Sequence, residues 1–136
     1  MLTAHKVQND IIALLADSEL CKALSGKVYR KGYRPRDSRL EDVVVIFVSG
    51  IYGQVEQGAV TLNIYVPDTT PYNNGVYCED GRRIEQVEQL AAEWVNSLNV
   101  GRTPYLFTLS RTIDTMPEEA IHQHFVVVHL EYKYKG

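Results

Sequence analysis

The hydrophobic pattern follows two different periods along the chain, and each period predicts its own kind of element. Apolar residues recur at helical spacing over residues 4–16 and again from Ile84 to Leu98, which predicts two amphipathic helices. Residues 57–66 instead alternate, with every second side chain apolar, as in a half-buried strand. The apolar, β-branched run 43–48 predicts a strand that is buried on both faces.

Weaker patterns complete the prediction. Residues 27–31 and 105–113 fit strands, and residues 121–134 fit a long final strand, whereas 114–119 resemble a connector. The resulting order is α–β–β–β–α–β–β in a single domain, residues 1–136. Because each helix has one apolar stripe to bury, this order predicts an α+β fold, with one mixed or antiparallel sheet of about four to five strands and two helices packed on it.

Two segments between these elements carry turn signals. Residues 32–39 contain glycine, proline, aspartate and serine, which are typical of a loop. Residues 69–76 contain an Asn-Gly pair, which is compatible with either a hairpin arm or a mobile loop.

Charge is distributed unevenly along the chain. The formal net charge of −3 argues against a domain that coats nucleic acid over its whole surface. Segment 27–39 is nevertheless basic and segment 79–93 is acidic, so copies of the chain are able to attract one another; two solvated surfaces are the alternative interpretation. The cations are Lys27, Arg30, Lys31, Arg34, Arg36 and Arg39, and the acids are Glu79, Asp80, Glu85, Glu88 and Glu93.

Cysteine usage favours a reducing compartment, and hydropathy gives no sign of a signal peptide or a membrane span. Cys21 and Cys78 lack metal-site spacing, and two isolated cysteines do not form the disulfide framework of a secreted domain. The N-terminal residues lack the apolar core of a signal peptide, and no window approaches the roughly 18 apolar residues of a membrane span. The sequence predicts a cytoplasmic protein without a membrane anchor.

Histidines in the last predicted strand are the first candidate metal ligands. His122 and His124 share one face of that strand, but His129 falls on the other face. Since a zinc site needs three or four ligands, polar histidines on a strand face explain the pattern better than a metal site.

Nucleophile and acid–base patterns are equally weak. Cys78 is followed by two acidic residues, which oppose formation of a thiolate. Glu85 and Glu88 belong to a helix surface, where solvated carboxylates are more common than a catalytic pair. The sequence therefore predicts no catalytic residue, no metal site and no cofactor, and the chain is not expected to be an enzyme.

Several short segments together resemble a known family. They are residues 26–29 leading into an Arg-Pro loop, the acidic pair 41–42 before a buried strand, the strand 57–66, and an acidic helix that ends near Leu98. In this order the chain resembles the small tail-completion and tail-terminator proteins of long-tailed bacteriophages and their prophage copies. The resemblance covers nearly the whole chain and rests on element order more than on a signature motif.

The resemblance implies a structural subunit of the virion, assembled in the host cytoplasm. Such subunits form a homo-oligomeric ring, commonly a hexamer, that terminates the tail tube and joins it to the head connector while DNA passes through. The tail-tube and head-connector proteins are then its partners. Residues of the basic segment, of the 69–76 loop and of the acidic helix are the candidate contacts: Arg30, Lys31, Arg34, Arg36, Arg39, Tyr72, Asn73, Asn74, Glu85 and Glu88.

Three alternatives belong to other classes. Segment 27–39 interleaves cations with Tyr29 and Tyr33, a pattern also found in small nucleic-acid-binding modules. Tyrosine and arginine are equally enriched at protein interfaces, so another protein-interaction domain fits the same residues. A small enzyme would need a deep pocket with perturbed titratable groups.

Overall fold

Six strands form one mixed sheet in the computed structural model, which describes residues 1–101 and 103–136. The α+β class is confirmed, with more strands than expected and a short additional helix. The helices are α1 (Ala4–Ala16), α2 (Glu19–Ala23) and α3 (Gly81–Ser97). The strands are β1 (Val28–Arg30), β2 (Val43–Ile51), β3 (Glu56–Pro67), β4 (Tyr105–Leu109), β5 (Asp114–Glu118) and β6 (Gln123–Tyr134), and a 3-10 turn (Glu119–Ile121) precedes β6.

The long strand β6 organises one side of the sheet. The strand order is β1-β2-β3-β6-β4, and only the pair β1–β2 is parallel. One side of β6 pairs with β3 along its whole length, whereas the other side pairs with β5 over residues 123–127 and with β4 over residues 130–134. Two short strands therefore follow one another along the same edge.

The core lies between one face of the sheet and the helices. In β3, the alternating side chains Val60, Leu62, Ile64 and Val66 are at most 1% exposed, which confirms the predicted half-buried strand. The helices add their apolar stripes to the same cluster. Among the described residues, α1 contributes Ile11, and α3 contributes Val87 and Trp94. Among the described residues, no helix lies on the other face of the sheet.

The prediction for β2 was only partly right. Val43, Val44 and Val45 are buried, but Val48 is 56% exposed. The cause is the helix-free face, together with a register shift between Phe47 and Ser49 that inserts Val48 as an unpaired residue. β2 is therefore buried on both faces only where it begins.

The predicted connector 114–119 was wrong. Residues Asp114–Glu118 form β5, an edge strand whose short sequence lacks apolar alternation and contains Pro117. The neighbouring boundaries also shift, since β4 ends at Leu109 and β6 begins at Gln123. His122 consequently lies outside the strand, at the end of the 3-10 turn with φ of +53°.

Candidate subunit interface

Arg34 lies inside the protomer, not on its basic surface. Its side chain is 9% exposed, and its Nε donates to the buried Asp42 carboxylate at 2.9 Å. Its Nη2 donates to the Gln123 side-chain oxygen at 2.8 Å, and the guanidinium stacks 3.9 Å above the Tyr65 ring. These contacts occupy Arg34 within its own chain, so it holds the 32–42 loop against the helix-free face.

Asp42 is the centre of this network. Its side chain is fully buried, and its second oxygen accepts a hydrogen bond from the Lys27 backbone N–H at 2.9 Å. The Ser38 hydroxyl donates to the same carboxylate oxygen as Arg34. Because a buried carboxylate is tolerated only when it is paired and hydrogen-bonded, the loop and the start of β2 fix one another.

Glu41 links the same loop to α3. The Arg83 guanidinium donates to both carboxylate oxygens, with distances of 2.6 and 2.8 Å. Burial by itself would raise the pKa of Glu41, but the hydrogen bonds from Arg83 and from the Ser25 backbone lower it below its ordinary value. The pair therefore favours the ionised carboxylate and anchors the first turn of α3.

The other predicted basic residues remain at the surface. Lys31, Arg36 and Arg39 are exposed, and Arg30 is partly exposed with its guanidinium 5.0 Å from the centre of the Tyr33 ring. Arg39 donates to the Ile121 carbonyl at 3.0 Å and therefore lies at the 3-10 turn, away from β1. The predicted basic segment thus divides into an internal Arg34, a tethered Arg39 and free cations around β1.

The 69–78 segment is an exposed arm with a fixed base. Thr69 and Cys78 exchange backbone hydrogen bonds of 2.9 and 2.8 Å, and beside them His124 contacts Asp68 at 2.7 Å. Tyr72 is 75% exposed at the tip. The predicted contacts Asn73 and Asn74 are exposed beside it, and Asn74 accepts from the Val76 backbone N–H.

The histidines in and beside β6 have structural partners. His122 stacks on Tyr77, with ring centres 3.9 Å apart, and the His129 Nδ1 lies 3.3 Å from the Thr61 hydroxyl. His122 and His124 do not share a strand face, because His122 precedes β6. Within residues 1–101 and 103–136, no cluster of three or more metal-ligating side chains occurs.

The two predicted acidic contacts on α3 differ in their surroundings. Glu85 is exposed, whereas Glu88 is partly buried and accepts a hydrogen bond from the Thr115 hydroxyl at 2.8 Å. Glu88 therefore helps to fasten β5 to α3. Of the two, only Glu85 is free to meet another molecule along the described part of the chain.

The edge strands carry a charge pattern that the sequence prediction missed. One row of paired residues crosses five strands of the sheet. It runs from Tyr29 of β1 through Val44 of β2, Asn63 of β3 and Val127 of β6 to Asp114 of β5. Tyr29 and Asp114 thus lie at the same height on opposite edges, about 19 Å apart at the usual strand spacing. Lys27, Arg30 and Lys31 surround the first position, and Glu118 and Glu119 follow the second.

The helix-free face between these edges forms an open trough of about 870 Å³. Its floor mixes the apolar Ile46, Phe125 and Val127 with polar side chains of β3 and β6, and its margin carries Arg111 and Asp114. A partly apolar sheet face with a polar margin is the usual composition of a protein–protein interface.

The fold and these surfaces define an α+β domain with exposed, chemically distinct sheet edges. No model of a known protein family matches the sequence, and no curated protein matches it either. No helix among the described residues is long and apolar enough to cross a bilayer.

Proposed function

We propose that the chain is a structural subunit that assembles with copies of itself into a ring, and that this ring terminates a phage tail tube and joins it to the head connector. The single observation that carries the self-assembly is that Asp114 of β5 lies level with Tyr29 of β1 on the opposite sheet edge, where acidic residues follow Asp114 and cations flank Tyr29. We name residues 27, 30 and 31 the basic edge, and residues 114, 118 and 119 the acidic edge. The resemblance to tail-terminator proteins supplies the biological setting.

Opposite charge on opposite edges favours head-to-tail association. An interface between two different patches of the same protomer is heterologous, and a heterologous interface closes into a ring when its rotation is a whole fraction of a turn. Exposed charges of this kind control encounter and register more than affinity. The trough and the 69–78 arm add further contact surface, which the tube or the connector can share.

A charge-exchange experiment tests the assembly. The first variant carries Lys27→Glu, Arg30→Glu and Lys31→Glu, and the second carries Asp114→Lys, Glu118→Lys and Glu119→Lys. Each variant alone has like charges on both edges and is expected to form no rings by light scattering. An equimolar mixture restores complementary edges and is expected to recover the rings that the wild type forms.

A matched control separates edge pairing from net charge. Lys22→Glu, Arg82→Glu and Lys135→Glu change the same number of exposed cations away from the basic edge and should leave assembly intact. A wild-type chain that is monomeric at every concentration and at low salt would overturn the self-assembly. DNA binding that weakens steeply with salt, without any assembly, would instead favour the nucleic-acid-binding module.

The tail role has its own test. In a phage that encodes this chain, interruption of the gene should give tails that lack heads, and the wild-type chain supplied from a plasmid should restore joined particles. Joined, infectious particles without the protein would overturn the tail role, while the ring could still form.

A further inference from the structure

Near the β2–β3 hairpin, the two edges of the sheet differ in whether their outward backbone groups are hydrogen-bonded. At this end, residues 46–51 of β2 form one edge, and β4 forms the other. Three register steps, through β3 and β6, place the two edges at the same height. An edge strand exposes unpaired backbone N–H and C=O groups, and most proteins cover or interrupt such a row.

The β4 edge is closed by its own chain. The Asn99 side chain donates to the Phe107 carbonyl at 2.7 Å and accepts from the Phe107 N–H at 2.9 Å, as a neighbouring strand would. The Thr103 hydroxyl bonds in the same way to the backbone of Tyr105, at 3.2 Å for each contact. Further along this side, β5 contains Pro117, which lacks an N–H donor.

The β2 edge has neither a side-chain cap nor a proline among the described residues, and its one interruption is the bulge at Val48. The Val45 carbonyl accepts from the Lys31 N–H at 3.0 Å, and beyond it no backbone group of residues 46–51 bonds outward to another described residue. Residues 43–55 contain no charge and no proline. The side chains of Val48, Ile51 and Tyr52 are 56%, 65% and 71% exposed. An uncharged, apolar, open edge of this kind is a template for strand pairing.

We infer that residues 46–51 pair with the same residues of a second copy, as antiparallel strands around a two-fold axis. The occupant follows from the contrast between the edges. Open backbone groups pair only with other open groups, and the β4 edge of a copy is already occupied by Asn99 and Thr103. The β2 edge is therefore the matching surface of a second chain, and its lack of charge removes any repulsion between identical strands.

The ends of the open edge fit the same symmetry. Tyr33 follows β1 at one end and is 63% exposed, and Tyr52 follows β2 at the other end and is 71% exposed. An antiparallel two-fold pair brings the first end of one chain to the second end of its copy. Since a six-residue strand pair covers less than the area of a standard stable interface, the dimer is weak and depends on concentration.

Cysteine substitution tests this pairing directly. In an antiparallel pair around a two-fold axis, the residue at the axis meets its own copy, within the distance that a disulfide spans. Among Val48→Cys, Ser49→Cys and Ile51→Cys, we expect one position to cross-link under mild oxidation at least about tenfold faster than Leu106→Cys on β4, because pairing raises the local thiol concentration. The wild type, with its half-buried Cys21 and Cys78, gives the background.

A second variant measures association without any cross-link. Val48→Lys places a charge on an exposed position of the open edge, and light scattering should then show no strand-paired dimer at concentrations where the wild type forms it. Equal, slow cross-linking at all positions, with a monomeric wild type, would overturn the inference. Preferential disulfides between Ser49→Cys and Leu106→Cys chains would also overturn it, because they indicate head-to-tail pairing.

The strand pairing through residues 46–51 is independent of the ring proposed above. Val48→Lys leaves the basic and acidic edges unchanged, so it should abolish dimers while rings still form. The charge-exchange variants leave residues 46–51 unchanged and should keep the strand-paired dimer. Failure of one proposal is therefore distinguishable from failure of the other.

Discussion

Asn99 pairs with both backbone groups of Phe107 and substitutes for a strand at the edge of β4. Asn99→Ala removes both hydrogen bonds and leaves the N–H and C=O of Phe107 unpaired. We expect a loss of about 1–3 kcal/mol in the free energy of unfolding, together with greater self-association through the newly opened edge. Denaturant unfolding and light scattering measure the two effects.

Asn96→Ala is the matched control for this change. Asn96 lies on α3 and is exposed, so its loss should change neither stability nor association appreciably. Equal behaviour of the two alanine variants would contradict the role of Asn99 at the edge.

Arg34 and Arg36 should differ in how much each contributes to the stability of the fold. Arg34→Ala leaves the buried Asp42 carboxylate without its cation, and breaking a buried pair in this way costs about 3–5 kcal/mol. Arg36→Ala changes an exposed side chain and should alter the free energy of unfolding by no more than about 0.5 kcal/mol. Chemical denaturation of both variants checks the difference, and a stable Arg34→Ala chain would show that the network is dispensable.

Gly26 packs so closely against Glu41 and Asp42 that there is no room for a Cβ atom. A Cβ atom there would lie 2.5 Å from the Glu41 carbonyl oxygen and would also collide with the Asp42 carboxylate. We expect Gly26→Ala to destabilise the fold by roughly 1–3 kcal/mol, as overpacking usually does. Gly53→Ala, where a Cβ atom meets nothing within 4 Å, serves as the control in the same thermal or denaturant unfolding experiment.

The Glu41–Arg83 pair predicts loss of stability in acid. The pKa of Glu41 in the folded state lies below its ordinary value of 4.5, so the pair stabilises the fold fully above that value. The contribution is lost as the pH falls through the lowered folded-state pKa, since the folded carboxylate must then be protonated. Unfolding of the wild type and of Glu41→Gln should differ most at neutral pH and converge in acid.

Glu85→Gln provides the comparison for that titration. Glu85 is exposed on the same helix and lacks the Arg83 contacts, so this variant should follow the wild type across the whole pH range. A constant difference between wild type and Glu41→Gln down to the lowest pH would contradict the assignment.

Strong periodicity explains which elements were predictable. The helical stripe of α3 and the alternation of β3 each reflect one face buried against a single core, and both elements lie where the sequence placed them. β5 has no such pattern, because an edge strand with Pro117 and polar neighbours buries too little to impose one. Its existence follows from the length of β6, which offers it a partner.

The interface was less predictable than the fold for a related reason. Arg34 and Arg36 belong to one run of cations, and their spacing gives no indication that only Arg34 turns inward onto Asp42. The acidic edge was missed because Asp114 and Glu118 were assigned to a connector. Long-range register, which no local pattern encodes, brings Asp114 level with Tyr29 of β1.

The Arg34 network also has an evolutionary consequence. Arg34, Asp42 and Gln123 come from the loop, the start of β2 and the start of β6, and each satisfies a buried group of another. Replacement of one member alone leaves a charged group or an amide without its hydrogen-bond partner. We therefore expect selection against single substitutions at these three positions. Descendants of this gene should keep all three together or exchange them together for an apolar set, while the exposed cations beside them drift freely.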